Sequence, residues 1–152
     1  MSVPMFELKT QHAAIRAELD GALKRVMDSC QFILGPEVEA FERELAAASR
    51  VPHAIGLSSG TDALQVGLQA LDIGPGQDAE VLTSPFTFFA TASTIVRMGA
   101  RPAFVDIEPA GFMMDPEAID SATSHKVRAI LPVHLFGQCA EMDAVKDRKS
   151  VV

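Results

Sequence analysis

Ala54-Ile-Gly-Leu-Ser-Ser-Gly-Thr-Asp-Ala-Leu64 is the stretch that decides how this chain is read. Ala54 to Leu57 is an apolar run of strand length, Ser58-Ser-Gly-Thr61 is a turn, and Asp62 to Leu71 has the periodicity of an amphipathic helix. A turn that opens a helix aims unpaired backbone N–H groups and hydroxyls at one spot, which suits a phosphate. Downstream, Ser84-Pro-Phe-Thr-Phe-Phe-Ala-Thr91 repeats the strand-turn-helix plan with aromatics in its turn, where a flat ring can lie. A phosphate cup beside an aromatic platform points to a ligand that is both phosphorylated and planar.

Working outward, the alternation continues. Glu80 to Thr83 reads as a strand, Thr87 to Met98 as a helix ended by Gly99, and Pro102 to Asp106 as a strand. Asp115 caps a short helix with Pro116 in its first turn. Val127 to Val133 is an apolar strand leading into the loop His134-Leu-Phe-Gly137. Strands separated by helix-length crossovers predict an α/β fold, a mostly parallel sheet flanked by helices. Ligands of such sheets sit beyond the carboxyl ends of the strands, the edge to which both turns and His134 are assigned. Upstream, His12 to Asp28 and Pro36 to Ala48 read as helices joined by a connector at Cys30 to Leu34, the second with Val38, Phe41 and Leu45 on one face.

At 152 residues with 48% hydrophobic content the chain can bury a core and is no disordered segment. Thirteen Lys/Arg against 20 Asp/Glu give a net charge of −7, which argues against nucleic acid as a partner. No apolar run approaches the roughly 20 residues of a membrane span, and Met1 to Lys9 lacks signal-peptide character, so the expectation is a cytoplasmic location. Cys30 and Cys139, unpaired by spacing, are expected as reduced core residues. Neither GxGxxG nor GxxxxGK[ST] is present, and His12, His53 and His125 lack metal-ligand spacing. Each candidate also has a plainer reading: Ser59 or Thr61 as an ordinary N-cap with Asp62 complementing the dipole, the Phe cluster as core, and His134 as a buried hydrogen-bonding residue. Asp106 and Glu108, beside Pro109, are expected to shape a turn.

Several runs in order resemble the DegT/DnrJ/EryC1/StrS family of pyridoxal-phosphate-dependent sugar aminotransferases. They are Phe32-Ile-Leu-Gly-Pro-Glu-Val-Glu-Ala-Phe-Glu42, Ser59-Gly-Thr-Asp-Ala-Leu64, Gly74-Pro-Gly76 and Ser84-Pro-Phe-Thr-Phe-Phe-Ala-Thr91, then Gly99-Ala-Arg-Pro-Ala-Phe-Val-Asp106, Asp115-Pro-Glu-Ala-Ile119 and Leu131-Pro-Val-His-Leu-Phe-Gly-Gln138. The resemblance implies part of the large domain of a type I aminotransferase fold, usually a homodimer with sites at the subunit interface. It implies pyridoxal 5'-phosphate as cofactor, Gly60, Thr61 and Asp62 at its phosphate, Phe88 stacked on its ring, and His134 near the substrate. The activity implied is amino transfer, typically from glutamate to a keto group of a nucleotide-linked sugar.

The resemblance also implies a lysine bonded to the cofactor and an acid facing the pyridinium nitrogen, both expected beyond Val152. Lys126, Lys146 and Lys149 do not stand in the family's lysine context. The expected organisation is therefore 1–35 as N-terminal helix and connector, 36–145 as an incomplete cofactor-binding large domain, and 146–152 as a divergent tail. Such an N-terminal portion is expected to be inactive alone and to expose apolar surface and a sheet edge. The turn Gly76-Gln-Asp-Ala-Glu80 is about two residues longer than the family's usual form. Two rivals stay open: a deoxysugar dehydratase of the same family, and a non-catalytic scaffold of the same fold.

Overall fold

The structure is a computed structural model that describes residues 3–147. The chain divides into two compact units, Met1–Gly56 and Leu57–Val152. The tail expected to diverge from 146 lies, from 148 on, outside the described residues.

In the first unit, α1 spans Lys9–Ser29 and α2 spans Pro36–Ser49. The periodic residues Ile15, Leu19, Leu23 and Met27 do build α1, yet all four are exposed and no residue of that helix is buried. Left-handed Cys30 (φ 53) ends α1, and Pro36 opens α2 at a position where its missing N–H costs nothing. Arg25 Nε meets Glu37 Oε1 at 2.7 Å across the connector.

Ala54 to Leu57 corrects the sequence reading, for it is not a strand. A strand is stabilised by ladder bonds to a neighbour, and no described strand pairs with this segment. Within it, the Gly56 N–H donates to Glu42 Oε1 at 2.7 Å, so a carboxylate of α2 holds this backbone in place of a ladder bond.

The second unit carries α3 (Gly60–Ala70), β1 (Glu80–Thr83), α4 (Phe89–Arg97), β2 (Arg101–Phe104), α5 (Pro116–Ala122), β3 (Val127–Leu131) and α6 (Met142–Asp147), with a 3₁₀ turn at Leu135–Gly137. The three strands form a parallel sheet in the order β2-β1-β3, and Thr83 pairs with both Phe104 and Leu131. A central parallel strand is covered on both faces and so can be apolar throughout. Alternation sends neighbouring side chains of β1 to opposite faces. Val81 packs with Leu68 of α3 and Ile95 of α4, while Leu82 packs with Ile119 of α5 and Val145 of α6. Both are fully buried.

Two local features follow from backbone sterics. Gly99 closes α4 at φ +79, and a Cβ there would sit 2.9 Å from Pro75 Cα, so this turn needs glycine. Asp115 caps α5 as expected, accepting the Glu117 N–H at 2.9 Å. At the amino edge of the sheet, the long turn supplies Asp78 to an ion-pair network with Lys126 and, at 3.2 Å, Arg101. Arg101 also meets Glu80 Oε1 at 2.9 Å. Both cysteines are free and exposed, correcting the expectation of core thiols: Cys30 is spent on a left-handed helix end and Cys139 lies in a loop.

Candidate functional site

The cap of α3 assembles from three neighbouring side chains. Ser59 is extended and its Oγ accepts the Asp62 N–H at 3.1 Å. The Asp62 carboxylate in turn accepts the Ser59 hydroxyl at 2.8 Å and the Ser58 hydroxyl. These bonds hold Asp62 below its ordinary value, the Ser58 hydroxyl first, then Ser59, with a smaller contribution from the charge of Arg97; desolvation opposes them. The plainer reading of Ser59 as an N-cap is therefore met. It is compatible with anion binding, because a cap satisfies only part of the first turn. The N–H groups of Gly60 and Thr61 precede any possible intrahelical acceptor, and no partner for them is found among the described residues. Nothing lies within 4 Å of where a Gly60 Cβ would point, so an approaching group meets backbone alone.

The second turn leaves β1 at Ser84, whose Oγ accepts the Phe86 N–H at 3.0 Å. Here Phe86 and Phe88 part company, while Phe89, the first residue of α4, is exposed like Phe88. Phe86 packs against Phe112 and Phe136, with ring centroids 6.2 and 6.4 Å away. Phe88 sits at the N-cap of α4, makes no side-chain cap bond, and keeps 75% of its surface exposed. An N-cap favours Ser, Thr, Asp or Asn, and a solvent-facing ring gains nothing from burial. Breaking both preferences at one position is the pattern expected where a residue serves a ligand.

The sequence reading assigns no role to Phe112 or to Phe136 of the His134 loop. Each adopts the left-handed conformation (φ 61 and 53), which costs a non-glycine residue roughly 1–2 kcal/mol, and each sends its ring to Phe86. The available signal was their shared setting, a Phe directly beside a Gly in a loop that follows a strand. His134 follows β3 at the same carboxyl edge, where Thr83 Oγ1 donates to Leu131 O at 2.9 Å and ties β1 to β3. It is exposed rather than buried, and its Nδ1 accepts the Ala140 N–H at 3.1 Å.

The carboxyl edge thus brings the Ser84–Phe88 turn and the His134 loop together through the Phe86–Phe136 contact. Thr61 and Phe88 stand at the starts of α3 and α4, helices that pack on each other and share a core through Leu68 and Ile95. A cavity of about 370 Å³ beside the Glu108 turn is lined by Glu108 and Glu141, whose carboxylates make it a poor seat for a dianion. Glu108 and Asp106 shape turns as expected, accepting the Gly111 and Ile107 N–H groups at 2.6 and 2.8 Å. Lys126 is engaged with Asp78 at the opposite, amino edge, away from these groups.

The profile of the DegT/DnrJ/EryC1/StrS aminotransferase family matches residues 13–150. The chain belongs to that family. Among DegT/DnrJ/EryC1/StrS relatives, the pleiotropic regulatory protein of Geobacillus stearothermophilus is 48% identical over 145 residues, 95% of this chain and 38% of the relative. The UDP-2-acetamido-2-deoxy-3-oxo-D-glucuronate aminotransferase of Pseudomonas aeruginosa is 42% identical over 143 residues, 94% of this chain and 39% of that enzyme. The crystal structure of ntda from Bacillus subtilis with bound cofactor PMP superposes with a TM-score of 0.86 at 33% identity, covering 96% of this chain and 33% of that one. The chain therefore spans about two fifths of the length of the curated DegT/DnrJ/EryC1/StrS relatives named here.

Proposed function

We propose that this chain forms the cofactor-binding part of a pyridoxal-phosphate-dependent aminotransferase that acts on a nucleotide-linked sugar. The observation that carries the reading is Phe88, an exposed ring at an N-cap that it does not cap, on a helix packed beside one whose first turn offers two unpaired N–H groups. The residues present fit the cofactor. The Gly60 and Thr61 N–H groups, at the positive end of the α3 dipole, would hold a phosphate, and open space at Gly60 admits it. Phe88 would lie against the pyridine ring, fixing its plane without competing for its polar groups. Asp62, with its carboxylate bound by Ser58 and Ser59, orients the turn and spends its charge on the cap. Bound there, pyridoxal phosphate supplies an electron sink for the carbanion left when a Cα proton departs.

The same reading assigns 36–145 to the cofactor domain, 1–35 to the segment before it, and the covalent lysine and pyridinium-facing acid to sequence past Val152. On it the 152-residue chain alone does not turn over. His134 belongs to the substrate side of the site. Nucleotide sugar and amino acid are the substrates, a homodimer the assembly and the cytoplasm the location. The exposed Ile15, Leu19, Leu23 and Met27 of α1 suit a chain that packs further surface, and no helix among the described residues is long and apolar enough to cross a membrane.

The test is titration of pyridoxal phosphate into the chain and into Phe88→Ala, followed by the amide resonances of Gly60 and Thr61. Loss of a stacking partner worth about 0.5–1.5 kcal/mol should weaken binding about 2- to 10-fold. Equal affinity of the two proteins, or titration that leaves both amides unmoved, refutes the assignment.

A further inference from the structure

His134 carries more information than its position. Backbone N–H of Ala140 is a donor that cannot act as an acceptor, and it points at Nδ1 of the ring at 3.1 Å. Nδ1 must therefore present a lone pair, and in the neutral imidazole the single proton sits on Nε2. Nε2 has no partner among the described residues, and the side chain is exposed at the carboxyl edge of the sheet.

The loop that sets this arrangement is tightly determined. Between His134 and Ala140 the chain passes through two consecutive left-handed residues, Phe136 (φ 53) and Gly137 (φ 84). The first of these is strained and persists only where its surroundings hold it. Three contacts do so: the Ala140-to-His134 bond, the Gln138 N–H to Leu135 O bond at 3.1 Å, and the edge-on packing of Phe136 against Phe86. The imidazole is one end of that brace, so its orientation and tautomer are fixed by the same geometry that shapes the loop.

We infer that His134 serves the site as a fixed hydrogen-bond donor through Nε2–H, taking an oxygen acceptor of the bound ligand, and not as a proton-accepting base. This rests on the proposed cofactor reading, since the acceptor belongs either to pyridoxal phosphate or to the sugar nucleotide beside it. A base at this position needs a bare nitrogen facing the ligand, and the one bare nitrogen is already occupied by Ala140. The acceptor can be a hydroxyl, carbonyl, carboxylate or phosphate oxygen. A ligand group that can only donate is disfavoured.

Two substitutions split the brace from the donor. Asn places an oxygen where Nδ1 lies and keeps the Ala140 bond while deleting the Nε2 donor. Gln reaches the Nε2 position with an N–H and forfeits the Ala140 acceptor. The experiment records ¹⁵N-edited spectra of the imidazole in the 152-residue chain, first alone, then with pyridoxal phosphate, then with added UDP-N-acetylglucosamine. Binding affinities of His134→Asn and His134→Gln are measured in parallel. The expected result is a protonated Nε2 and bare Nδ1 in the free protein and a shift of the Nε2–H signal on ligand addition. His134→Asn should keep its Ala140 amide signal yet bind about tenfold more weakly, with His134→Gln closer to wild type, a loss of the size one ligand hydrogen bond carries.

A shift on pyridoxal phosphate alone assigns the acceptor to the cofactor; one appearing only with the sugar nucleotide assigns it to the substrate. A proton on Nδ1 overturns the inference in the free protein. Ligand-induced movement of the Gly60 and Thr61 amides with an unmoved Nε2–H overturns it while sparing the cofactor reading. If those amides do not respond either, the cofactor reading falls and the inference falls with it.

Discussion

Gly60→Ala separates folding from binding at one atom. Gly60 is the first residue of α3 and does not use the left-handed region, so alanine can adopt its backbone. An added Cβ meets nothing within 4 Å. Replacing glycine by alanine where the conformation is compatible removes freedom from the unfolded chain and stabilises by about 0.4–1 kcal/mol. For a chain of this size that corresponds to a rise of about 1–4 °C in Tm. On the proposed reading, a phosphate held by the Gly60 and Thr61 N–H groups would have to share that open space with the added methyl. Blocking one charge-assisted hydrogen bond worth about 1.5–3 kcal/mol should weaken pyridoxal phosphate by about 10- to 150-fold. Thermal melts followed by circular dichroism give the first quantity, and isothermal titration gives the second. A variant that melts higher and binds pyridoxal phosphate as wild type does would remove Gly60 from the phosphate seat. One that melts markedly lower would contradict the open space at that position.

Three further outcomes are expected. Gly76→Ala and Gly99→Ala share a left-handed backbone, φ +86 and +79, but only the second meets Pro75 at 2.9 Å. Urea unfolding should give about 1–2 kcal/mol of destabilisation for Gly76→Ala, and about 1–3 kcal/mol more for Gly99→Ala from overlap with backbone that cannot yield. Asp115→Ala removes the cap of α5 and should cost about 1 kcal/mol in the same assay, with Asp115→Ser recovering most of it. The Asp62 carboxylate is held below its ordinary value in the folded state, chiefly by the Ser58 hydroxyl, so its contribution is complete above the unfolded value of about 3.9. That contribution fades as pH falls through the depressed folded value, and the urea midpoints of wild type and Asp62→Asn should converge in acid after differing at neutral pH.

The helices and the Asp115 cap were legible because local rules governed them, and the parallel character of the sheet followed from the helix-length crossovers. Pro36 and Asp115 open their helices where the sequence puts them, and β1 matches its expected bounds. Ala54 to Leu57 was misread because a strand is a relation between segments, and apolar composition says nothing about whether a neighbour exists. Phe88 and Phe89 could not be told from Phe86 by composition, because burial at a turn depends on which other loops arrive there. The rings of Phe112 and Phe136 reach Phe86 from 26 and 50 positions away. The sequence left the α3 cap open between Ser59 and Thr61, and the hydroxyl bonds from Ser58 and Ser59 to Asp62 depend on side-chain placement that no local rule gives.

Phe86 belongs to the segment after β1, Phe112 to the one after β2 and Phe136 to the one after β3, so a single aromatic knot spans the ends of all three strands. Phe86 is the shared partner of the other two rings, so a movement of its turn reaches the segments after β2 and β3 together. The rim of the sheet should accordingly shift as one body when a guest arrives, and its rearrangement should register as one concerted exchange process instead of three independent loop fluctuations.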